Sequence, residues 1–157
     1  MVEYGVSVLA GGGEPSARRG PANVEGFESG RLEEGWVTSE TSCWKVVSTH
    51  PHEGAYCARS GAIGNGQSTS LMWAVDGCAK GEIIFYRRVS SLRAFDTLRF
   101  CIDSQEQARW SGDLPWDLVR FPITPGTHTF KWEYAKSSSI AHGEDAAWID
   151  DVEIIAE

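Results

Sequence analysis

Near its C-terminus the chain reads "EDAAWIDDVEIIAE" (residues 144–157), which places Asp145, Asp150, Asp151 and Glu153 in or beside a run of Ala, Trp, Ile and Val. Carboxylates are poor strand formers and repel one another at short range. Their presence there calls for a compensating role, and the other reactive side chains offer less. His50 and His52 flank Pro51 at i, i+2 spacing, which could recruit a transition metal, but no third ligand accompanies them and a loop surface is the simpler reading. Serines are plentiful without a G-x-S-x-G elbow. "GAIGNGQ" (61–67) has glycines but neither a phosphate-binding lysine nor a helical continuation, so it reads as a hairpin loop. Nothing assembles a nucleophile with a base.

The seven tryptophans are many for 157 residues. Trp110 and Trp116 bracket "SGDLP", with Arg109, Asp113 and Asp117 close by. An aromatic face beside polar groups can stack a sugar ring and hydrogen-bond its hydroxyls. Tyr86 and Arg99 fall opposite the core residues of their strands and extend this ligand-binding set. The competing reading is that both tryptophans plug the ends of a core. Trp36, Trp44, Trp73, Trp132 and Trp148 read as core.

The elements that must position these residues are short. From Val24 onward, segments rich in β-branched and aromatic residues recur about every ten residues between Gly, Pro, Ser and Asp clusters. Nine strands are expected, at 44–48, 55–60, 69–75, 82–89, 96–103, 107–111, 117–123, 128–135 and 146–155. No window holds a helical apolar stripe. The pattern predicts an all-β, antiparallel two-sheet sandwich of jelly-roll type, with less than about a tenth of the chain in helix. Period two puts Leu98, Phe100 and Ile102 on one face, and Phe130, Trp132 and Tyr134 on another. It also puts Asp150 and Asp151 on opposite faces. "TPGTHTF" (124–130) reads as a hairpin link, and Pro122 places its strand at a sheet edge. Residues 1–23 read as a flexible leader with a short strand at 3–9, and 24–157 as the β domain.

Composition bounds the partners. A formal net charge of −8 with no basic stripe argues against nucleic acid and against polymeric anions. No apolar run approaches the roughly 20 residues of a membrane helix. Cys43, Cys57, Cys78 and Cys101 lack zinc-site spacing; two disulfides and four free thiols both remain open.

"GFESG" (26–30), Trp36 and "HPHEGAYCARSGAIGNGQSTSL" (50–71), followed by "IIFYRRVSS", "DTLRFCIDSQEQARWSG", "PWDLVRFPITPGTHTFKWEYAK" and "DAAWIDDVEI", resemble jelly-roll carbohydrate-binding modules and bacterial adhesin domains akin to MAM domains. The resemblance runs from Phe27 to Ile155. It implies a non-catalytic extracellular module, secreted or at the cell surface and part of a larger multidomain protein, that binds carbohydrate or a cell-surface glycoprotein. A MAM-like protein-interaction domain without a sugar site is the alternative. It further implies a structural calcium, held by the first-strand Glu28, by Asp150 or Asp151 of the last strand, and by the segment 52–54 with Glu53. Of the two aspartates, Asp150 has the better match. Calcium takes six to eight oxygen ligands and would neutralise carboxylates that otherwise repel. "IDDVE" also invites comparison with the E-x-D-x-x-E strand of laminarinase-like hydrolases, which need two carboxylates on one face about 5–5.5 Å apart. Here the first Glu is missing, which makes a glycosidase the third and distant reading.

Overall fold

The computed structural model describes residues 24–157, so the reading of residues 1–23 as a leader, with its strand at 3–9, lies outside the described residues. Two antiparallel sheets make a sandwich, and no helix occurs among the described residues. The first sheet runs in the order β3 (Lys45–Val47), β4 (Cys57–Arg59), β11 (Ala146–Ala156), β6 (Gly81–Ser90) and β9 (Asp113–Ile123). A two-residue strand, β1 (Val24–Glu25), also pairs with β11. The second sheet runs β2 (Trp36–Thr38), β5 (Ser68–Cys78), β10 (Gly126–Lys136), β7 (Asp96–Ile102) and β8 (Gln105–Ser111). The nine expected strands correspond to β3 through β11.

The alternating faces meet between the sheets. Leu98, Phe100, Phe130, Trp132 and Tyr134 are fully buried and Ile102 nearly so. Phe100 lies 4.8 Å from Phe85 and 5.1 Å from Trp132, ring centre to ring centre, which ties the two sheets together. Trp36 stacks on Trp73 at 5.1 Å and on Trp132 at 5.6 Å. Fully burying each such side chain contributes about 1.5–3 kcal/mol. Pro122 does sit on an edge strand, where the missing N–H costs no ladder bond.

Two turn assignments need correction. Residues 124–130 do not link a hairpin: β9 belongs to the first sheet and β10 to the second, so the turn carries the chain across the sandwich. Residues 61–67 likewise pass from β4 in one sheet to β5 in the other. Turn residues bend the chain equally well in both settings, and only the pairing decides.

A third correction concerns β11. Its pairing with β6 shifts register between Asp150 and Glu153, and Asp151 has a positive φ of 50°. This bulge interrupts the alternation, so that Ile149 and Val152 both enter the core. Asp150 and Asp151 therefore do not simply point to opposite faces; both reach the same loop.

The cysteines are four thiols. Burial pushes those of Cys57 and Cys78 up to about 12, which leaves them inert as nucleophiles.

Candidate functional site

Two features of the first sheet concentrate chemistry. The first lies at the bulge, where β11 changes neighbour. Trp148 and Ile149 pair with Arg59 and Ala58 of β4, whereas Val152 and Glu153 pair with Glu25 and Val24 of β1. Asp150 and Asp151 fall in the gap between the two partners. The loop entering β4 and the chain leaving β1 converge there. The His52 N–H donates to Asp150 Oδ2 at 3.0 Å, and His52 Nδ1 lies 2.8 Å from Asp151 Oδ2. Glu28 accepts the N–H groups of Ala55 at 2.9 Å and Tyr56 at 3.1 Å, one on each carboxylate oxygen. Gly54, with a φ of 67°, makes room for it, since a Cβ there would stand 2.6 Å from the Glu28 carboxylate.

Four of these carboxylates, Glu25, Glu28, Asp150 and Asp151, form no ion pair with lysine or arginine among the described residues; His52 alone faces Asp151. Asp150 is fully buried, and burial, followed by the charge of Asp151, pushes its carboxyl up to about 7. Burial also pushes Glu25 up to about 7 against the Phe27 N–H that it accepts, with Glu33, Asp150 and Glu28 adding repulsion. His52, Glu53 and Asp151 each offer a ligand atom, and these atoms lie within 4.8 Å of one another. A cradle of mostly oxygen donors with unbalanced negative charge fits calcium. Of the expected set, Glu53 and Asp151 fall in that cluster with His52, while Asp150 and Glu28 accept backbone N–H groups of the same loop.

The second feature is the outer face of the same sheet. Here the expected ligand-binding residues divide. Tyr86 of β6 and Trp116 of β9 come together through His52, whose ring stacks on Tyr86 at 3.6 Å and meets Trp116 edge-on at 5.9 Å. The Trp116 indole N–H donates to the His50 carbonyl at 2.9 Å. The other three lie elsewhere. Trp110 turns inward and packs on the core beside Phe85, with the Arg87 guanidinium 5.5 Å from its ring. Asp113, at the start of β9, faces His142 at 3.1 Å. Arg99 lies on the outer face of the opposite sheet, in a ladder with Glu133 and Glu106.

Sequence reading did not find the residues that extend this face. Trp148 is fully buried, yet outside the sandwich: with Cys57 and Ala146 it forms a second cluster on the outer face, packed by Val47 and Trp116. Cross-strand pairing lines up Lys45 of β3, Arg59 of β4, Trp148 of β11 and Arg88 of β6. The guanidinium groups of Arg59 and Arg88 lie 5.3 and 4.3 Å from the Trp148 ring centre, cation–π range. Single cations on three strands, with Trp148 on a fourth, leave no local pattern, and only the strand order aligns them.

No protein-family model matches the chain, and no curated protein matches it in sequence. Solved structures do match in fold. The TmCBM61 structure in complex with β-1,4-galactotriose matches with a TM-score of 0.63 at 17% identity, over 85% of this chain and 95% of that one. The K3 adhesin domain of Lys-gingipain from Porphyromonas gingivalis matches with a TM-score of 0.64 at 14% identity, over 86% and 99%. The CBM22-1 xylan-binding domain of Xyn10C from Paenibacillus barcinonensis matches with a TM-score of 0.56 at 14% identity, over 85% and 94%. The chain has the jelly-roll β-sandwich fold shared by these carbohydrate-binding modules and this adhesin domain.

Proposed function

We propose that the chain is a non-catalytic carbohydrate-binding module of a secreted or surface protein, stiffened by a structural calcium ion. The observation that carries the reading is the aromatic group Tyr86–His52–Trp116, set on a sheet's outer face among charged neighbours. Tyr86 and Trp116 are half-buried, with His52 stacked on Tyr86, so their positions are fixed while part of each side chain stays exposed. A fixed aromatic surface stacks a sugar ring at little entropic cost, and adjacent polar groups orient its hydroxyls. Two of the fold neighbours carry a bound galactotriose or are described as xylan-binding, which supports the same ligand class.

Calcium would be held by Glu28, Glu53, Asp150 and Asp151. When bound it supplies positive charge that lets buried carboxylates ionise together. The protein's own contribution is to orient them: the N–H groups of His52 and Glu53 fix Asp150, those of Ala55 and Tyr56 fix Glu28, and Gly54 clears the approach of Glu28. Asp150 lies directly across from Tyr86 in the β11–β6 ladder, so ordering this centre also orders the aromatic face.

Affinity electrophoresis through xylan, galactan and mixed-linkage glucan gels tests the proposal. Retardation by at least one, lost on Tyr86→Ala or Trp116→Ala with an unchanged far-UV spectrum, is the expected result. Retardation by none, or retardation indifferent to both substitutions, overturns the aromatic face as a sugar site. The likeness to a gingipain adhesin domain keeps a protein-binding role as the second reading, and that result would favour it.

A further inference from the structure

The row across the first sheet contains an arrangement that costs stability unless something balances it. Lys45 and Arg59 are direct cross-strand partners on the outer face, and like charges so placed repel. Arg88 follows two strands away, across Trp148. Both guanidinium groups lean on that indole, which holds them in order. The compensation inside the chain is thin. Glu144 Oε2 accepts from Arg88 at 3.3 Å and lies 3.2 Å from His50, while Arg59 reaches only the Glu144 backbone carbonyl, at 3.4 Å. Asp145, the next carboxylate, is already committed to Lys136 and Tyr134. Arg59 Nε, Arg88 Nη1 and Trp148 Nε1 are buried and find no acceptor among the described residues. Lys45 and Arg59 line one cavity of about 550 Å³ together with Ser42, Ser60, Val47 and the acidic residues Glu144 and Asp145.

We propose that this cavity binds the carboxylate of an acidic sugar, making the ligand a uronic-acid polysaccharide. The proposal rests on the carbohydrate-binding reading and names its substrate class. A carboxylate oxygen pair matches the fork of N–H donors on a guanidinium, and Lys45 adds a point charge opposite. Ser42 and Ser60 supply hydroxyls of the kind that meet sugar hydroxyls. The cavity adjoins the Tyr86–Trp116 surface through Val47 and Trp148, so a sugar chain can reach both. The net charge of −8 argued against polymeric anions, but that sum is taken over the whole chain. Screening over about 8–10 Å at physiological salt lets a local cluster of cations act on its own.

The test uses the full chain in affinity gels and calorimetry with four probes: polygalacturonate, its fully methyl-esterified form, dextran sulfate and neutral galactan. Polygalacturonate should bind, esterification should abolish most of that binding, and Arg59→Gln should weaken it about tenfold, the effect of one charged hydrogen bond. Lys45→Gln, at an exposed position, serves as the second variant should Arg59→Gln unfold, and it should weaken binding several-fold and flatten the salt dependence. Binding of galactan alone overturns the acidic class while the carbohydrate reading stands. Binding of no probe, neutral glycans included, overturns both. Dextran sulfate bound as tightly as polygalacturonate, and equally reduced by Arg59→Gln, overturns the carboxylate in favour of a sulfated glycan.

Discussion

Asp96 and Asp150 are both fully buried carboxylates, and the surroundings of the two could hardly differ more. Asp96 opens β7 and meets Lys136 of β10, whose ammonium donates to Asp96 at 3.0 Å and to Asp145 at 2.8 Å. The Ser137 N–H completes Asp96, and the Tyr134 hydroxyl completes Asp145. That centre contains its own cation. Asp150 gathers backbone N–H groups and more carboxylates, with no lysine or arginine ion-paired to it among the described residues. Removing a charge from water costs several kcal/mol, so each centre has to recover that cost. One recovers it within the chain, and for the other the proposed calcium would supply the cation from solution.

The largest effect should come from breaking the self-contained centre. Lys136→Met leaves Asp96 buried without its counter-charge and should cost about 3–5 kcal/mol in urea unfolding. Calcium should not restore it. A loss below about 1 kcal/mol would mean that Asp96 is held by its backbone donor alone, and the contrast would fail.

At the acidic centre the proposed cation would be removable. Calcium at one hundred times its dissociation constant should stabilise the fold by about 2.7 kcal/mol, a shift of several degrees in Tm. Chelator should remove the shift, and magnesium, which demands a tight octahedral shell, should restore it poorly. Asp150→Asn should make melting indifferent to both chelator and calcium. Wild-type melting that ignores them would refute calcium here.

In chelator the same centre should show an inverted pH dependence. The folded-state carboxyls of Asp150 and Glu25 stand at about 7, above their ordinary values of 3.8 and 4.5. The native state therefore retains protons that the unfolded state has already lost. The contribution of these two groups to stability should be greatest below about pH 4, decline as pH rises toward 7, and level off beyond. Glu25→Gln should remove part of that slope. A stability that instead rises steadily between pH 4 and 7 would show that other carboxylates dominate.

Much of this was visible in the residues, and what was not has physical reasons. Strands β3 to β11 announced themselves through alternation and turn residues, and the apolar triplets around Phe100 and Trp132 fell where expected. Strand β1 is two residues long, too short for any period to register, and β2 offers only Trp36 and Val37 between the polar or glycine neighbours Glu34, Gly35, Thr38 and Ser39. The bulge at Asp151 breaks the very alternation used to sort its neighbours. Glu28 and Asp150 were matched through a family resemblance, because nothing local joins residues so far apart in the chain. Neither the Lys136–Asp96–Asp145 network nor the Lys45–Arg59–Trp148–Arg88 row follows from composition, since both depend on which strands are neighbours. The arches across the sandwich were misread for the same reason.

The smallest expected effect supplies the control for the whole comparison. Arg120 of β9 and Glu82 of β6 form an ion pair of 2.9 Å, as short as the contacts of Lys136. The Arg120 side chain is 56% exposed, against 3% for Lys136. In water the Coulomb attraction is screened, and holding two long side chains in one geometry costs entropy. Arg120→Gln should therefore change unfolding free energy by no more than about 0.5 kcal/mol, and less at high salt. Distance is nearly the same in the two pairs, so burial alone would account for the difference between their substitutions. A loss at Arg120 comparable to that at Lys136 would mean that exposure does not separate the two. The argument that buried, unpaired carboxylates need an outside cation would then lose its premise.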